Sequence, residues 1–264
     1  LPRIHAPEIE DEAWCPTVLR DGLTTFLQVS AEKLALYDPA TPTVAALLKA
    51  HDAERVVDLC SGGGGPVLRL CQRLQSEHGL LVGATLTDLY PNVDAFARAE
   101  ARSAGTVVGH RTPTDASDVP DGLVGVRTIF NGFHHFRPDL ARRIVEDAAR
   151  KGQPFVSVEI VERRFLTVAT IMGVPLLALL LTPFSSPTVA RLALTYLVPI
   201  IPAAILWDGM MSCLRGYSVD ELVALTDDLN SDTYRFRVEQ VPSRLLPMRI
   251  TMLIGEPIAA APRS

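Results

Sequence analysis

Between residues 55 and 162 the chain alternates between two spacings of apolar positions. "RVVDLC" (55–60) is an apolar run of strand length, and "PVLRLCQRLQSEH" (66–78) then repeats apolar residues at three and four, as an amphipathic helix does. "LLVGATLTD" (80–88) reads as a second strand and "NVDAFARAEARSAG" (92–105) as a helix closed by Gly105. "TVVGHR" (106–111), "VRTIFNG" (126–132) and "PFVSVEIVE" (154–162) read as three more strands, with the helix "RPDLARRIVEDAARKG" (137–152) between the last two. Strands alternating with helices at this spacing predict βαβ units and a parallel sheet.

The flanks differ. "PTVLRDGLTTFLQVSAEKLALY" (16–37) and "PTVAALLKAH" (42–51) have helical spacing, so residues 1–50 are expected to be an N-terminal helical segment. Near the other end, "SVDELVALTDDL" (218–229) begins with Ser218 and has Glu221 three places on, a capping box. "YRFRVEQVP" and "MRITMLIGE" follow as two β-rich runs, expected to pair antiparallel. The predicted fold is α/β: a Rossmann-like doubly wound sheet, mostly parallel with a C-terminal antiparallel hairpin, plus a mostly helical apolar cap. The core domain is assigned to 51–162 and 217–257, and the cap to 163–216.

The cap reading comes from residues 165–207, which carry one charge, Arg191. Pro175, Pro183, Pro187, Pro199 and Pro202 divide the stretch into pieces, which favours a helical cap over an apolar pocket. A homodimer interface is the second reading, and a membrane-docked hairpin, disfavoured by the prolines, is the third. At its far end, Trp207 and Asp208 are candidates to face a substrate, while Arg215 and Tyr217 are expected to fix the return to the core.

The chain has 264 residues, 48% apolar and 21% charged, which excludes a disordered composition. A net charge of −5 and a pI of about 5.7, with no basic stripe, argue against nucleic acid as a partner. Cys15, Cys60, Cys71 and Cys213 are scattered, as in reduced cytosolic proteins, and form no metal-ligand spacing. "LPRIHAPEIEDE" has neither a basic nor an apolar leader region, so a cytoplasmic protein is expected.

The candidate chemistry begins at "VVDLCSGGGGP" (56–66), where four glycines follow a strand directly. A glycine turn ahead of a helix lets backbone approach a ligand where a Cβ would collide, with free N–H groups behind it. Asp88, at the end of the second strand, stands where an acid can accept both hydroxyls of a ribose. The dinucleotide fingerprint fails in detail: the place of its third glycine, counted from Gly62 and Gly64, is Val67, or Leu68 one residue later. No lysine lies nearby for a phosphate loop.

Asp58 to Gly64, Asp-x-x-x-Gly-x-Gly, resembles motif I of the class I S-adenosylmethionine-dependent methyltransferases, with Cys60 at the place of the first glycine. The resemblance covers roughly residues 45–160 and, more loosely, the closing hairpin. It implies S-adenosyl-L-methionine as cofactor and a donor site of Asp58, Cys60, Gly62, Gly64, Asp88 and Leu89, completed by Asp115 and Ala116 from "TDASDVP" and Asn131 from "FNGFHHF". It implies methyl transfer, and the apolar cap suits a small, largely apolar acceptor, such as an isoprenoid, an aromatic or an alkaloid-like metabolite, in secondary metabolism.

Methyl transfer requires alignment and, for an O–H or N–H acceptor, a base. His135 is the preferred candidate and His134 the alternate, with Glu159 as a further acid and Phe133 beside the acceptor. No acidic set suggests a divalent metal, so none is expected. An NAD(P)-linked reductase on a similar architecture, and a non-catalytic binding or dimerisation module, remain the alternatives.

Overall fold

The computed structural model describes residues 2–185, 187–244 and 247–258. Its strands are β1 (Arg55–Asp58), β2 (Gly83–Leu86), β3 (Val107–Gly109), β4 (Val126–Phe130), β5 (Phe155–Glu159), β6 (Tyr234–Pro242) and β7 (Arg249–Pro257). They form one sheet in the order β3-β2-β1-β4-β5-β7-β6. The first five are parallel, and β7 lies antiparallel between β5 and β6. This is the doubly wound sheet with a closing antiparallel hairpin that the alternation predicts.

Successive strand residues serve opposite layers, as the pleat requires. Val56, Ala84, Leu86 and Val126 meet α2 (Thr41–Ala50), α3 (Val67–His78) and α4 (Val93–Arg102) on one face. Val57, Ile129 and Phe155 meet α5 (Pro138–Arg150) and α10 (Val219–Thr226) on the other. Local signals end these helices. The Asn92 side chain accepts from Ala95 N to start α4, Gly79 ends α3 at φ 66°, and the Ser218–Glu221 capping box starts α10.

The cap consists of α6 (Phe165–Ile171), α7 (Val174–Leu181), α8 (Val189–Leu192) and α9 (Ile200–Arg215). It has its own core, in which Leu19, Leu23 and Phe26 of α1 (Thr17–Lys33) pack on Ala178, Ile201, Ala204 and Ile205. The prolines break it less than expected. Pro175 sits in the first turn of α7, where its missing N–H has no helical partner to lose. Residues Phe165–Phe184 therefore form a 20-residue run of mean hydropathy 2.2, long and apolar enough to cross a membrane by length and composition. A sharper bend of 75° separates Val189–Leu197 from α9. Phe165, Leu176, Leu180, Phe184, Val189 and Leu197 are exposed on the outer side of the cap.

The expectation of helix from residue 1 is corrected for residues 2–16, which contain no helix and cross the molecule as a strap. Tertiary partners take the backbone donors a helix would use. Ile4 N–H bonds Leu214 O, and the N–H groups of Ile9 and Glu10 bond the Asp208 carboxylate.

One charge in the strand pattern is structural. Arg127 in β4 is 1% exposed and donates to Asp147 Oδ2 at 2.8 Å, while Lys151 Nζ lies 2.9 Å from Oδ1. Burial would raise the Asp147 pKa, but the Lys151 and Arg127 bonds outweigh it and hold it below the ordinary value. Replacing Asp147 with Ala strands a buried guanidinium and should lower stability by about 3–5 kcal/mol in urea denaturation. A loss under ~1 kcal/mol, the scale of a surface pair, would show that the pair does not hold α5 to the sheet.

Candidate functional site

The glycine run folds as the turn between β1 and α3. Gly62 (φ 51°) and Gly64 (φ 74°) take left-handed backbone, and a Cβ on Gly64 would lie 2.7 Å from Leu86 Cδ1. Cys60 also takes φ 58°, so the residue at the place of the motif's first glycine adopts a glycine's conformation. Asp58 is sealed beneath the turn and accepts from Thr128 Oγ1 at 2.7 Å. Burial lifts its pKa to about 7 against the bonds from Thr128 and Ser61.

Asp88 follows β2 and ties the turn in place: Oδ2 accepts from Gly62 N and Oδ1 from Tyr90 N, both at 2.9 Å. Leu89, next to it, is half exposed. Thr114 N–H bonds Asp88 O, which brings the following residues to the same end of the sheet. There Asp115 accepts from Ser117 N and Oγ, and Ala116 is buried. Asn131 ends β4 at φ 49°, with its side-chain oxygen accepting from Ile160 N.

Two cavities meet here. An open cleft of about 510 Å³ is lined by Cys60, Ser61, Gly62, Gly63, Gly65, Asp88 and Asn131, with Thr24 and Gln28 of α1 opposite. A smaller, mostly apolar cavity of about 140 Å³ lies under the cap, against Leu23, Phe26, Ile171, Val174, Leu177 and Ile205. Glu10, Leu27, Tyr37, Asn131 and His135 line both, so they form the shared wall.

His134 and Glu159 form a buried pair behind this wall. His134 is 1% exposed; its Nδ1 lies 2.6 Å from Glu159 Oε2, and Glu159 Oε1 accepts from Phe133 N at 2.7 Å. With both carboxylate oxygens accepting, Nδ1 carries the proton. Nε2 has no hydrogen-bond partner, and the nearest acid, Glu8 Oε1, is 3.8 Å from it. His135 is more open. Its Nδ1 lies 3.2 Å from Asp11 Oδ2 and its Nε2 3.7 Å from Glu8 Oε2. Burial pulls its pKa down, but the Asp11 bond and the charge of Glu8 outweigh this and lift it to about 9.

Sequence reasoning missed the strap. Glu8, 2% exposed, lies 3.8 Å from His134 Nε2 and close enough to both imidazoles for the three to hold a metal ion. Arg215 Nη1, however, lies 3.1 Å from Glu8 Oε1 and 2.8 Å from Asp11 Oδ2, and supplies the counter-charge there. Arg215 Nε also donates to Ala6 O at 2.6 Å. No local signal marks these partners, which lie about 200 positions apart in the chain.

Two expected substrate contacts lie elsewhere. Phe133 lines neither cavity: it is fully buried in an aromatic cluster with Phe136, Phe155 and Tyr217. Trp207 points at the strap, donating from Nε1 to Pro7 O at 3.1 Å. Asp208 does line the apolar cavity, while its carboxylate anchors Ile9 and Glu10. Burial lifts its pKa to about 6.

The strap's tie to His135 should titrate. An imidazole whose folded pKa is about 9, against about 6.5 unfolded, contributes stability that is fully present below pH ~6.5 and lost as pH rises through ~9. The unfolding temperature should therefore fall between pH 7 and 9.5, and His135→Gln should flatten that slope. Parallel slopes for the two proteins would remove His135 from the strap's anchorage.

No protein-family model matches the sequence, and no curated protein matches it. Many solved structures do resemble the fold. One is an O-methyltransferase from neocarzinostatin biosynthesis, NcsB1, crystallised with S-adenosylmethionine and 2-hydroxy-5-methyl naphthoic acid. It is 15% identical at a TM-score of 0.54, covering 92% of this chain and 59% of its own. Another is a proposed O-methyltransferase from Nostoc punctiforme, 11% identical at a TM-score of 0.50, covering 96% and 64%. This chain thus spans less than two thirds of the length of either. At these identities the likeness establishes the architecture: the chain has the Rossmann-like fold of the class I methyltransferases, with a helical cap.

Proposed function

We propose that this chain is an S-adenosylmethionine-dependent methyltransferase acting on a small, largely apolar acceptor of the isoprenoid, aromatic or alkaloid-like kind, in secondary metabolism and without a metal. The observation that supports this best is the shared wall: the cleft under the glycine turn and an apolar cavity have five lining residues in common, and His134, whose Nε2 has no hydrogen-bond partner, lines the apolar one. The cleft suits the donor. Space is open over Gly62, where a Cβ would meet nothing within 4 Å, and the Asp88 carboxylate lies at its edge. When bound, S-adenosylmethionine supplies an electrophilic methyl group on a sulfonium. The neocarzinostatin enzyme was crystallised with S-adenosylmethionine and a small aromatic ligand together, which supports a reading with one donor site and one small-molecule site.

The protein's own part is binding, alignment and one proton. Asp88 holds the ribose hydroxyls, and Asn131 and His135 separate donor from acceptor. The cap and α1 exclude water from the acceptor, which brings the two reactants to high effective concentration. His134 accepts the acceptor's proton at Nε2. Glu159 fixes the tautomer and stabilises the imidazolium that results. The buried His134 thus takes the role for which the sequence favours His135, whose ring is committed to the strap.

Isothermal titration with S-adenosylhomocysteine and with NADH tests the donor. The first should bind and the second should not; the reverse would move the protein to the reductases. Asp88→Ala should weaken S-adenosylhomocysteine binding by about 2–4 kcal/mol through loss of two charge-assisted bonds. An affinity within threefold of wild type would place the donor elsewhere. With an O–H or N–H acceptor, His134→Ala should slow methylation about 10²–10⁴-fold and leave donor binding intact. Equal rates for the variant and wild type would assign the proton to another group.

A further inference from the structure

The outer face of the cap has no part in methyl transfer. Between residues 165 and 200 its exposed positions are held by Phe165, Leu176, Leu180, Phe184, Val189 and Leu197, with smaller apolar residues among them. None of the exposed described residues in that range is charged. The only exposed hydroxyls among them are already engaged: Thr188 Oγ1 accepts from Arg191 N, and Tyr196 donates to Leu179 O. Contiguous apolar surface of this kind marks a contact. A helix as long and apolar as Phe165–Phe184 is commonly the buried core of a soluble protein or a leader segment. This one is neither, because its most apolar window is only 22% buried and it follows five strands of the sheet. It does not cross a bilayer in this fold either, since Ile171 and Ala178 on its inner side pack against α9 and α1. A helix held by protein on one side and bare of charge on the other suits the plane of a membrane interface. The charges nearby fit as well. Arg164, half exposed, directly precedes the run, and Arg191 bonds Ser185 O and pairs with no acid among the described residues. A guanidinium without a carboxylate matches a lipid phosphate.

We propose that the outer face of the cap docks on a lipid bilayer, with α6, α7 and the bend at 197–200 sunk into the boundary between headgroups and acyl chains, and with Arg164 and Arg191 on the phosphates. A second copy of the chain, or another protein, fits this face less well. Protein interfaces carry about one hydrogen bond per 100–200 Å², and this face has almost nothing to donate or accept. Hydrocarbon requires no such bonds, and the helical backbone beneath the face satisfies its own. Ile171, Val174 and Leu177 of the same helices line the apolar cavity on the inner side. Docking therefore brings that cavity within about one helix diameter, ~10 Å, of the lipid. The inference goes beyond the methyl-transfer reading and does not rest on it, because docking needs neither donor nor acceptor.

The test is flotation of the full chain with vesicles of phosphatidylcholine, with and without phosphatidylglycerol. The wild type should float with both and bind the anionic vesicles more tightly. Leu176→Glu combined with Leu180→Glu changes two side chains that are already exposed. It should lower the partition coefficient about tenfold or more on either vesicle. Leu81→Glu, at an exposed residue before β2 and outside the cap, should leave binding unchanged. Arg191→Gln should weaken binding to the anionic vesicles about fivefold and leave the neutral ones unaffected. Each variant's unfolding temperature confirms that it is folded. A wild type that does not float overturns the proposal. So does a double variant that floats as the wild type does, or one that loses no more than Leu81→Glu. Arg191→Gln binding anionic vesicles like wild type overturns the orientation that sets its guanidinium on the phosphates. A wild-type dimer in light scattering that the double variant dissociates, with no flotation of either, assigns the face to a second copy and also overturns the proposal.

Discussion

The site depends on one guanidinium. Arg215, at the end of α9, is 4% exposed and reaches Glu8, Asp11 and the backbone of Ala6 from a single side chain. Without it, Glu8 and Asp11 of the strap would lose the guanidinium that both of them share, and their like charges would repel. The strap could not close and the cavity would lack a wall. The fork of the guanidinium, with donors aimed in several directions, suits it to the role better than a lysine's single ammonium. The acidic run that gives the chain's start its charge thus becomes the acidic lining of a pocket.

Beneath this lies a division of labour. The sheet and its two helical layers have cores that contain no residue from 2–16. They present the glycine turn, Asp88, Asn131 and the His134–Glu159 pair at the carboxyl ends of the strands, where such folds bind ligands. The cap, α1 and the strap then enclose what the sheet presents. Stability therefore resides mainly in the sheet and its layers, and selectivity in the enclosing parts. That division fits a cap whose inner residues line the cavity while its outer ones, such as Phe165 and Phe184, remain exposed.

The sequence revealed whatever is encoded locally. Strand and helix alternation, the glycine turn after β1, the Ser218 cap and the antiparallel hairpin all arise from neighbours within a few positions. So did the histidines after β4, although not which of them is free, because that choice is made by Glu159 and by a strap far away in the chain. Phe133 looked like a substrate contact because it stands beside the histidines, but the 3₁₀ turn after β4 carries it toward Phe155 and Tyr217. Glu8 carried no local signal at all: only folding lays it over the cavity and pairs it with Arg215. Arg215 was expected to fix the return to the core and Asp208 to face a substrate, but their ties to the strap were not legible, since a partner about 200 positions away leaves no periodicity to read.

The distance between those partners also sets an order of events during synthesis. The strap leaves the ribosome about 200 residues before the helix that holds it. Ile9 must wait for Asp208, and Ala6 for Arg215. The sheet up to β5 can form in the meantime, with its ligand cleft open on one side and its histidines exposed to water. A nascent or truncated chain that stops short of α9 would therefore have the complete glycine turn but no closed pocket beside it. Donor recognition can mature before the acceptor pocket exists, and the two halves of the site come together only once α9 has been made.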